Sequence, residues 1–197
     1  MMRTRRTIRR FSPRRLERTQ VEELLELAIT APSASNNQPW RFFVTDQASR
    51  IEGMAQAVEQ AVAQVQAGLA PENLPAFTAY GDYFVRFREA PVVIVPAFRP
   101  LTILSQLTEP SQAIERLELY SGLASTSLAV QNLLLAAHAR GFGATCMTGP
   151  LLAAEAIEAL LGIPRGWHMG MLVALGYAAE EPKATSRKSL QSVLRWL

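Results

Sequence analysis

The sequence predicts one domain in which helices and strands are mixed, on three observations. A chain of 197 residues with 49% hydrophobic content can bury one substantial core. Stretches with the 3.6-residue period of amphipathic helices alternate with short apolar runs of strand length. The longest helical pattern, residues 113–140, is apolar nearly all round toward its C-terminal half, through Val130, Leu133, Leu134, Leu135 and Ala137. A helix of that kind is expected at the centre of a fold.

The chain opens on an unusual arm. Its first 18 residues hold eight arginines and one acid, Glu17, so a whole-chain charge of +3 leaves the remainder net acidic. Such a segment could bind nucleic acid or an anionic membrane, serve as a targeting peptide, or hold one phosphate. Within it Ile8 and Phe11 can pack on the core. Arg5, Thr7 and Arg9 then share the other side of an extended segment, where forked guanidiniums and a hydroxyl suit a phosphate.

After Ser12-Pro13, the stretch Thr19 to Glu22 reads as a capping box, and Val21, Leu24, Leu25 and Ala28 form one helical stripe. The helix stops before Pro32. Residues Ala31 to Trp40, APSASNNQPW, follow as a loop of hydroxyls and amides between two prolines. None of its side chains ionises near neutral pH, so it can grip a flat polar ligand by geometry; the same residues are also ordinary turn formers. Trp40 to Val44 reads as a strand, and Asp46 begins the turn after it.

Residues from Ile51 to about Gly68 are helical, Pro71 and Pro75 mark a break, and Phe77 to Arg88 is a shorter helix whose Tyr80, Tyr83, Phe84 and Phe87 suit a core or subunit interface. Val92 to Val95 is an unbroken apolar run, the mark of a strand covered on both faces. The segment from Pro96 to about Pro110 has no periodicity and is long enough to be a substrate-side element. Past the 113–140 helix, whose His138 is expected to pack or cap, Gly141 and Gly143 turn the chain into a strand, Ala144 to Met147. Thr148-Gly149-Pro150 opens a helix from Leu151 to Leu161, Met169 to Leu175 is a further strand, and Val193 to Trp196 is apolar enough to pack on something.

Several classes are set aside. Polar residues interrupt the apolar stretch Leu123 to Ala139, so no membrane span is expected, and no apolar stretch follows the first arginines as in a signal peptide. Cys146 is the sole cysteine, so no internal disulfide forms. With only His138 and His168 beside it, no metal-ligand spacing exists. A reducing, cytoplasmic setting fits. The glycines of Gly141-Phe142-Gly143 follow a helix and precede a strand, the reverse of a dinucleotide-binding fingerprint.

Taken together, RRTIRRF, APSASNNQPW, GFGATCMTGP and SRKSL, in that order, resemble the FMN-dependent nitroreductase family over nearly the whole chain. The resemblance implies an α+β fold, with a mostly antiparallel sheet surrounded by helices, in a domain-swapped homodimer with FMN sites at the subunit interface. It implies that Arg5, Thr7 and Arg9, with Arg6 adjacent, bind the flavin phosphate and ribityl chain, and that Arg187 closes the phosphate pocket. Pro32, Ser33, Asn36 and Gln38 would lie beside the flavin, in this family often the partner subunit's, and the backbone of Thr148 and Gly149 would face its reactive edge.

The activity implied is ping-pong reduction of nitroaromatics, quinones or similar small electron acceptors by NADH or NADPH, with no catalytic side chain. Same-fold alternatives are reductive dehalogenation, flavin breakdown and dehydrogenation; a non-enzymatic alternative is an anion- or nucleic-acid-binding module using the arginine arm. The chain departs from the family pattern at Met147, where many relatives have an aromatic residue, and at Ala34, where a second hydroxyl is common. The sequence also assigns no flavin-edge ligand between residues 70 and 90.

Overall fold

The computed structural model describes residues 1–109 and 111–197. Its elements run α1 (Arg18–Ala28), β1 (Trp40–Thr45), α2 (Ala48–Ala67), α3 (Leu74–Gly81), β2 (Val92–Phe98), α4 (Gln112–Ala139), β3 (Gly143–Met147), α5 (Ala154–Leu161), β4 (His168–Met169), β5 (Leu172–Gly176) and α6 (Leu190–Val193). The strands form one sheet in the order β1-β2-β5-β3, with β4 also against β2, and each pairing is antiparallel. The architecture is the expected α+β.

The apolar run in β2 has no polar side because helices cover both of its faces. Val93 and Val95 pack with Met54 and Val58 of α2, Phe87 and Ile157 of α5. Val92 and Ile94 point the other way, into Leu24 of α1 and Val130 and Leu133 of α4. Strand β5 repeats the alternation, Leu172 and Ala174 against Val173 and Leu175. Each fully buried aliphatic chain contributes about 1.5–3 kcal/mol, so this two-sided burial is the main cohesive contribution.

Strand β2 is longer than the sequence suggests, continuing through Pro96 to Phe98. Pro96 is tolerated because its partner strand breaks there. Ile94 pairs with Val173 and Ala97 with Met169, so three residues oppose two. That bulge divides the predicted strand Met169 to Leu175 into β4 and β5, and leaves the proline without a ladder donor to supply.

Other boundaries shift for local reasons. Helix α1 starts at Arg18, and the capping box is formed by Glu17 and Gln20, not by Thr19 and Glu22. Buried Leu16 fixes the chain just before that box. Pro75 lies in the first turn of α3, where its missing N–H is no loss, so it opens a helix rather than breaking one. The predicted helix Phe77 to Arg88 ends at Gly81 and resumes as a 3-10 turn at Arg86–Glu89, which turns Phe87 into the core and leaves Tyr80 and Tyr83 exposed. After Thr148 the chain makes a 3-10 turn, Gly149–Ala153, before α5 begins.

Helix α4 crosses the middle of one face, as expected, yet its apolar surface exceeds what the chain covers. Leu117, Tyr120 and Leu128 are exposed. Residues 181–197 are exposed throughout, with Trp196 at 89%, so the expected packing of Val193 to Trp196 does not occur within the chain. The predicted end of the 96–110 segment, Pro110, lies outside the described residues.

Candidate functional site

Three predicted pieces have to be placed: the arginine arm, the polar loop and the Thr148-Gly149 step. The arm is fixed by its apolar residues. Ile8 N–H donates to the Ala144 carbonyl in β3 (3.1 Å), and past the start of β3 the arm takes that strand's place beside the end of β5. There Ser12 N–H donates to the Tyr177 carbonyl (2.8 Å) and Ala179 N–H to the Arg10 carbonyl (3.0 Å). Both Ile8 and Phe11 are buried. Gly143, expected only as a helix terminator, lies in β3 with the space for its absent Cβ filled by Ile8.

Charge completes the anchoring. Glu180 Oε1 accepts the N–H groups of Arg9 (2.6 Å) and Arg10 (3.1 Å). The Arg9 hydrogen bond is the main reason its carboxyl is held below the ordinary 4.5, against a desolvation cost that acts the other way. Thr4 Oγ1 lies 2.9 Å from His138 Nε2, a hydrogen bond that ties the start of the arm to the last turn of α4.

Of the arm's arginines, Arg3 and Arg6 border a concavity of about 300 Å³ that is also lined by Met2, Thr185 and Arg187. The structure thus brings Arg187 to Arg6 across a gap of 181 positions in sequence. Arg187 Nη1 donates to Thr185 Oγ1 (2.9 Å), and Arg6 Nη1 donates to the carbonyls of Arg3 (2.8 Å) and Arg5 (2.9 Å). Among the described residues the side-chain ion pairs are Arg88 with Glu52 and Glu59, and Arg140 with Glu23. None involves the arm or Arg187. A cationic concavity without a lining carboxylate suits a dianionic phosphate, so the donor set fits the FMN phosphate. Arg5 and Thr7 are half-buried in the extended arm but do not line this concavity.

Arg9 faces another way. Its guanidinium stands 5.7 Å from the Tyr83 ring centre, and Arg86 approaches the same ring at 5.6 Å. The next residue, Phe84, packs on Gly149 so closely that a Cβ at that glycine would collide with its ring. The arm, Tyr83-Phe84 and the Thr148-Gly149 step therefore form one connected region at the β3 edge.

The polar loop lies at the opposite edge, before β1. Three strand spacings separate β1 from β3, roughly 14 Å. Three residues of the loop that are not glycine adopt the left-handed conformation: Ser35 (φ 51), Asn36 (φ 50) and Gln38 (φ 49). Each costs on the order of 1 kcal/mol and persists only where neighbours enforce it. The enforcing contacts are visible: Gln38 N–H donates to Ser33 Oγ (3.0 Å), Ala34 N–H to Ser125 Oγ of α4 (3.2 Å), and Gln38 Nε2 to Asn36 Oδ1 (3.4 Å). Behind the loop Ala31 and Trp40 pack on Ala129. Pro32, Asn36 and Gln38 remain exposed, with Ser33 half-buried. Within one chain, the loop and the arm do not meet.

The family model for the nitroreductase family matches residues 2–177. The chain belongs to the nitroreductase family. It is 31% identical over 200 residues to a Thermus thermophilus protein named NADH dehydrogenase, covering 98% of this chain and 92% of that one. Its fold is similar to that of a BluB-like flavoprotein of Clostridium difficile 630, with a TM-score of 0.87 at 22% identity over 98% of this chain and 95% of the other. It is also similar to oxidised iodotyrosine deiodinase bound to FMN and 3-iodo-L-tyrosine, with a TM-score of 0.76 at 21% identity, covering 100% of this chain and 96% of that one. The fold is nitroreductase-like, and among the described residues no helix is long and apolar enough to cross a membrane.

In this family context Tyr83, Phe84 and Arg86 stand out as residues that sequence reasoning did not place at the site. They were legible only as an aromatic and basic cluster between residues 80 and 88. What selects them is contact with Arg9 and Gly149, which no local pattern encodes. Glu180 was equally silent in the sequence, since a lone surface acid carries no pattern.

Proposed function

We propose that this member of the nitroreductase family is an FMN-dependent oxidoreductase that uses NADH or NADPH to reduce nitroaromatics, quinones or similar electron-poor molecules. The chain acts as a single FMN-binding domain over residues 1–197. The observation that carries the proposal is the acid-free concavity where Arg3, Arg6 and Arg187 converge, in a chain of this family. Names of relatives support it: an NADH dehydrogenase among homologues and FMN in the deiodinase of the same fold.

FMN, when bound, supplies the hydride chemistry. Arg3, Arg6 and Arg187 would hold its phosphate end, and Arg5, Thr7 and Arg9, which lie along the same arm outside that concavity, would serve the flavin only beyond the phosphate. The Thr148 and Gly149 backbone would lie toward its ring, and Pro32, Ser33, Asn36 and Gln38 would orient it through neutral donors and acceptors. No side chain at these positions has to donate or remove a proton. Reductant and acceptor use one slot in turn, which produces ping-pong kinetics.

Separation of the loop and the arm at opposite sheet edges supports a homodimer in which the loop of one subunit completes the pocket of the other. The exposed Leu117, Tyr120 and Leu128 of α4 and the exposed tail ending at Trp196 are the surfaces that a second copy would cover. The setting is cytoplasmic, with neither nucleic acid nor membrane as partner.

An absorption spectrum of the purified protein, followed by anaerobic titration with NADH and NADPH, tests the proposal. Flavin bands that bleach on titration and return with menadione are expected. A protein that is colourless and stays so after incubation with FMN would sink it. Turnover compared with and without oxygen separates acceptor reduction from flavin breakdown, and iodide release from an iodinated phenol separates it from dehalogenation.

A further inference from the structure

The segment from Arg99 to Thr108 lies beside the polar loop, because Arg99 N–H donates to the Pro39 carbonyl (3.1 Å). It belongs to no helix or strand, and its internal hydrogen bonds are a turn in which the N–H groups of Leu107 and Thr108 and the Thr108 hydroxyl donate to the Leu104 carbonyl, and a long one from Gln106 Nε2 to Thr102 Oγ1 (3.4 Å). What holds it is α4, at two positions one helical turn apart. At Gly122 a Cβ would collide with the Arg99 carbonyl oxygen, so glycine admits the chain at its closest approach.

At Glu118 the tie is electrostatic. That side chain is 5% exposed, and its Oε1 accepts the N–H groups of Leu104 (2.7 Å) and Ser105 (3.2 Å). Its backbone carbonyl accepts from Leu101 N–H as well (3.2 Å). A carboxylate is removed from water at a cost unless such donors replace it, so carboxylate and segment order each other. Held in this way, the segment leaves Ile103, Leu104 and Leu107 exposed beside a groove of about 570 Å³, mostly apolar, that Leu101, Leu119 and Tyr120 line together with Thr102, Ser105 and Glu118 itself.

We propose that Glu118 is a positioning residue: its carboxylate fixes Arg99 to Thr108 as an apolar wall of the slot that receives the electron acceptor, without touching flavin or acceptor itself. The proposal rests on the shared-pocket function above, in which the polar loop faces the flavin. An apolar wall on a neutral loop selects flat, poorly hydrated acceptors over charged ones.

The test uses the FMN-loaded full-length protein, the variants Glu118→Ala and Glu118→Gln, and menadione as the acceptor. The alanine variant is expected to raise the menadione KM roughly tenfold with little change in kcat or FMN occupancy. Exchange of the Leu104 and Ser105 amides is expected to accelerate roughly a hundredfold. Glutamine, which keeps an acceptor oxygen in place, is expected to fall between alanine and wild type on both readouts, and it decides the matter if alanine does not fold. Faster exchange with an unchanged menadione KM would overturn the role in the slot, and unchanged exchange would overturn the tie itself. Loss of FMN from both variants would overturn it too, by making Glu118 part of the flavin site. A wild-type protein that binds no FMN would instead overturn the function on which the slot rests, while the exchange rates would still decide whether Glu118 pins the segment.

Discussion

At the scale of single residues, the arm is held by one carboxylate and two apolar side chains, and the two kinds of anchor respond differently to pH. Glu180 is favoured in its charged form by the Arg9 and Arg10 amides, so its folded-state pKa lies below its unfolded one. Its contribution is full above the ordinary 4.5 and is lost as pH falls through the folded value. Tryptic cleavage after Arg9 and Arg10, measured after brief incubation at graded pH, should therefore rise on acidification below that range, and Glu180→Gln should remove the dependence. In the proposed function the guanidiniums would act on the ligand instead. Arg6→Ala and Arg187→Ala should each weaken FMN retention by about 1.5–3 kcal/mol, the usual scale of a charge-assisted hydrogen bond. The ratio of flavin to protein absorbance after gel filtration reads this directly, and unchanged ratios in both variants would mean that the phosphate sits elsewhere.

At the scale of elements, the decisive feature is the close packing of the turn after β3 on the segment after α3. Gly149 leaves room for the Phe84 ring, and any side chain there would push the 3-10 turn Gly149–Ala153 away from it. Gly149→Val should cost about 1–3 kcal/mol by overpacking, seen as a lower Tm, and Phe84→Ala in the same chain should recover part of that loss. Independent, additive effects in a double-mutant cycle would show that the two do not share the contact. The elements themselves were largely legible. The stripe of α1, the two-sided run of β2 and the long pattern of α4 each follow from burial periodicity, which is local. Boundaries such as the Glu17 cap, the continuation of β2 through Pro96 and the bulge at Gly170 and Met171 were not, because each depends on what the partner element does at that height.

At the scale of the whole molecule, the chain has more apolar surface than it covers, and the arginine arm and the polar loop stand at opposite edges of the sheet. The proposed homodimer would resolve both. Sedimentation should give a dimer at micromolar concentration, and Leu128→Glu, which puts a charge on the exposed side of α4, should shift it toward monomer and lower flavin retention together. A stable monomer that retains FMN would separate assembly from the site.

What the sequence by itself determined is the list of parts: a basic arm with Ile8 and Phe11 as anchors, a neutral loop between two prolines, a glycine step after a strand, and the order of helices and strands. These are set by residue type and spacing, and spacing survives without a structure. Only the tertiary structure decided which parts share a region. It joined Arg187 to Arg6 and Arg9 to Tyr83, set Phe84 on Gly149, and kept the loop from Ser33 to Gln38 at the far edge of the sheet. The physical reason is that sheet order is fixed by two-sided burial of β2 and β5, a property of the packed whole that no segment carries alone.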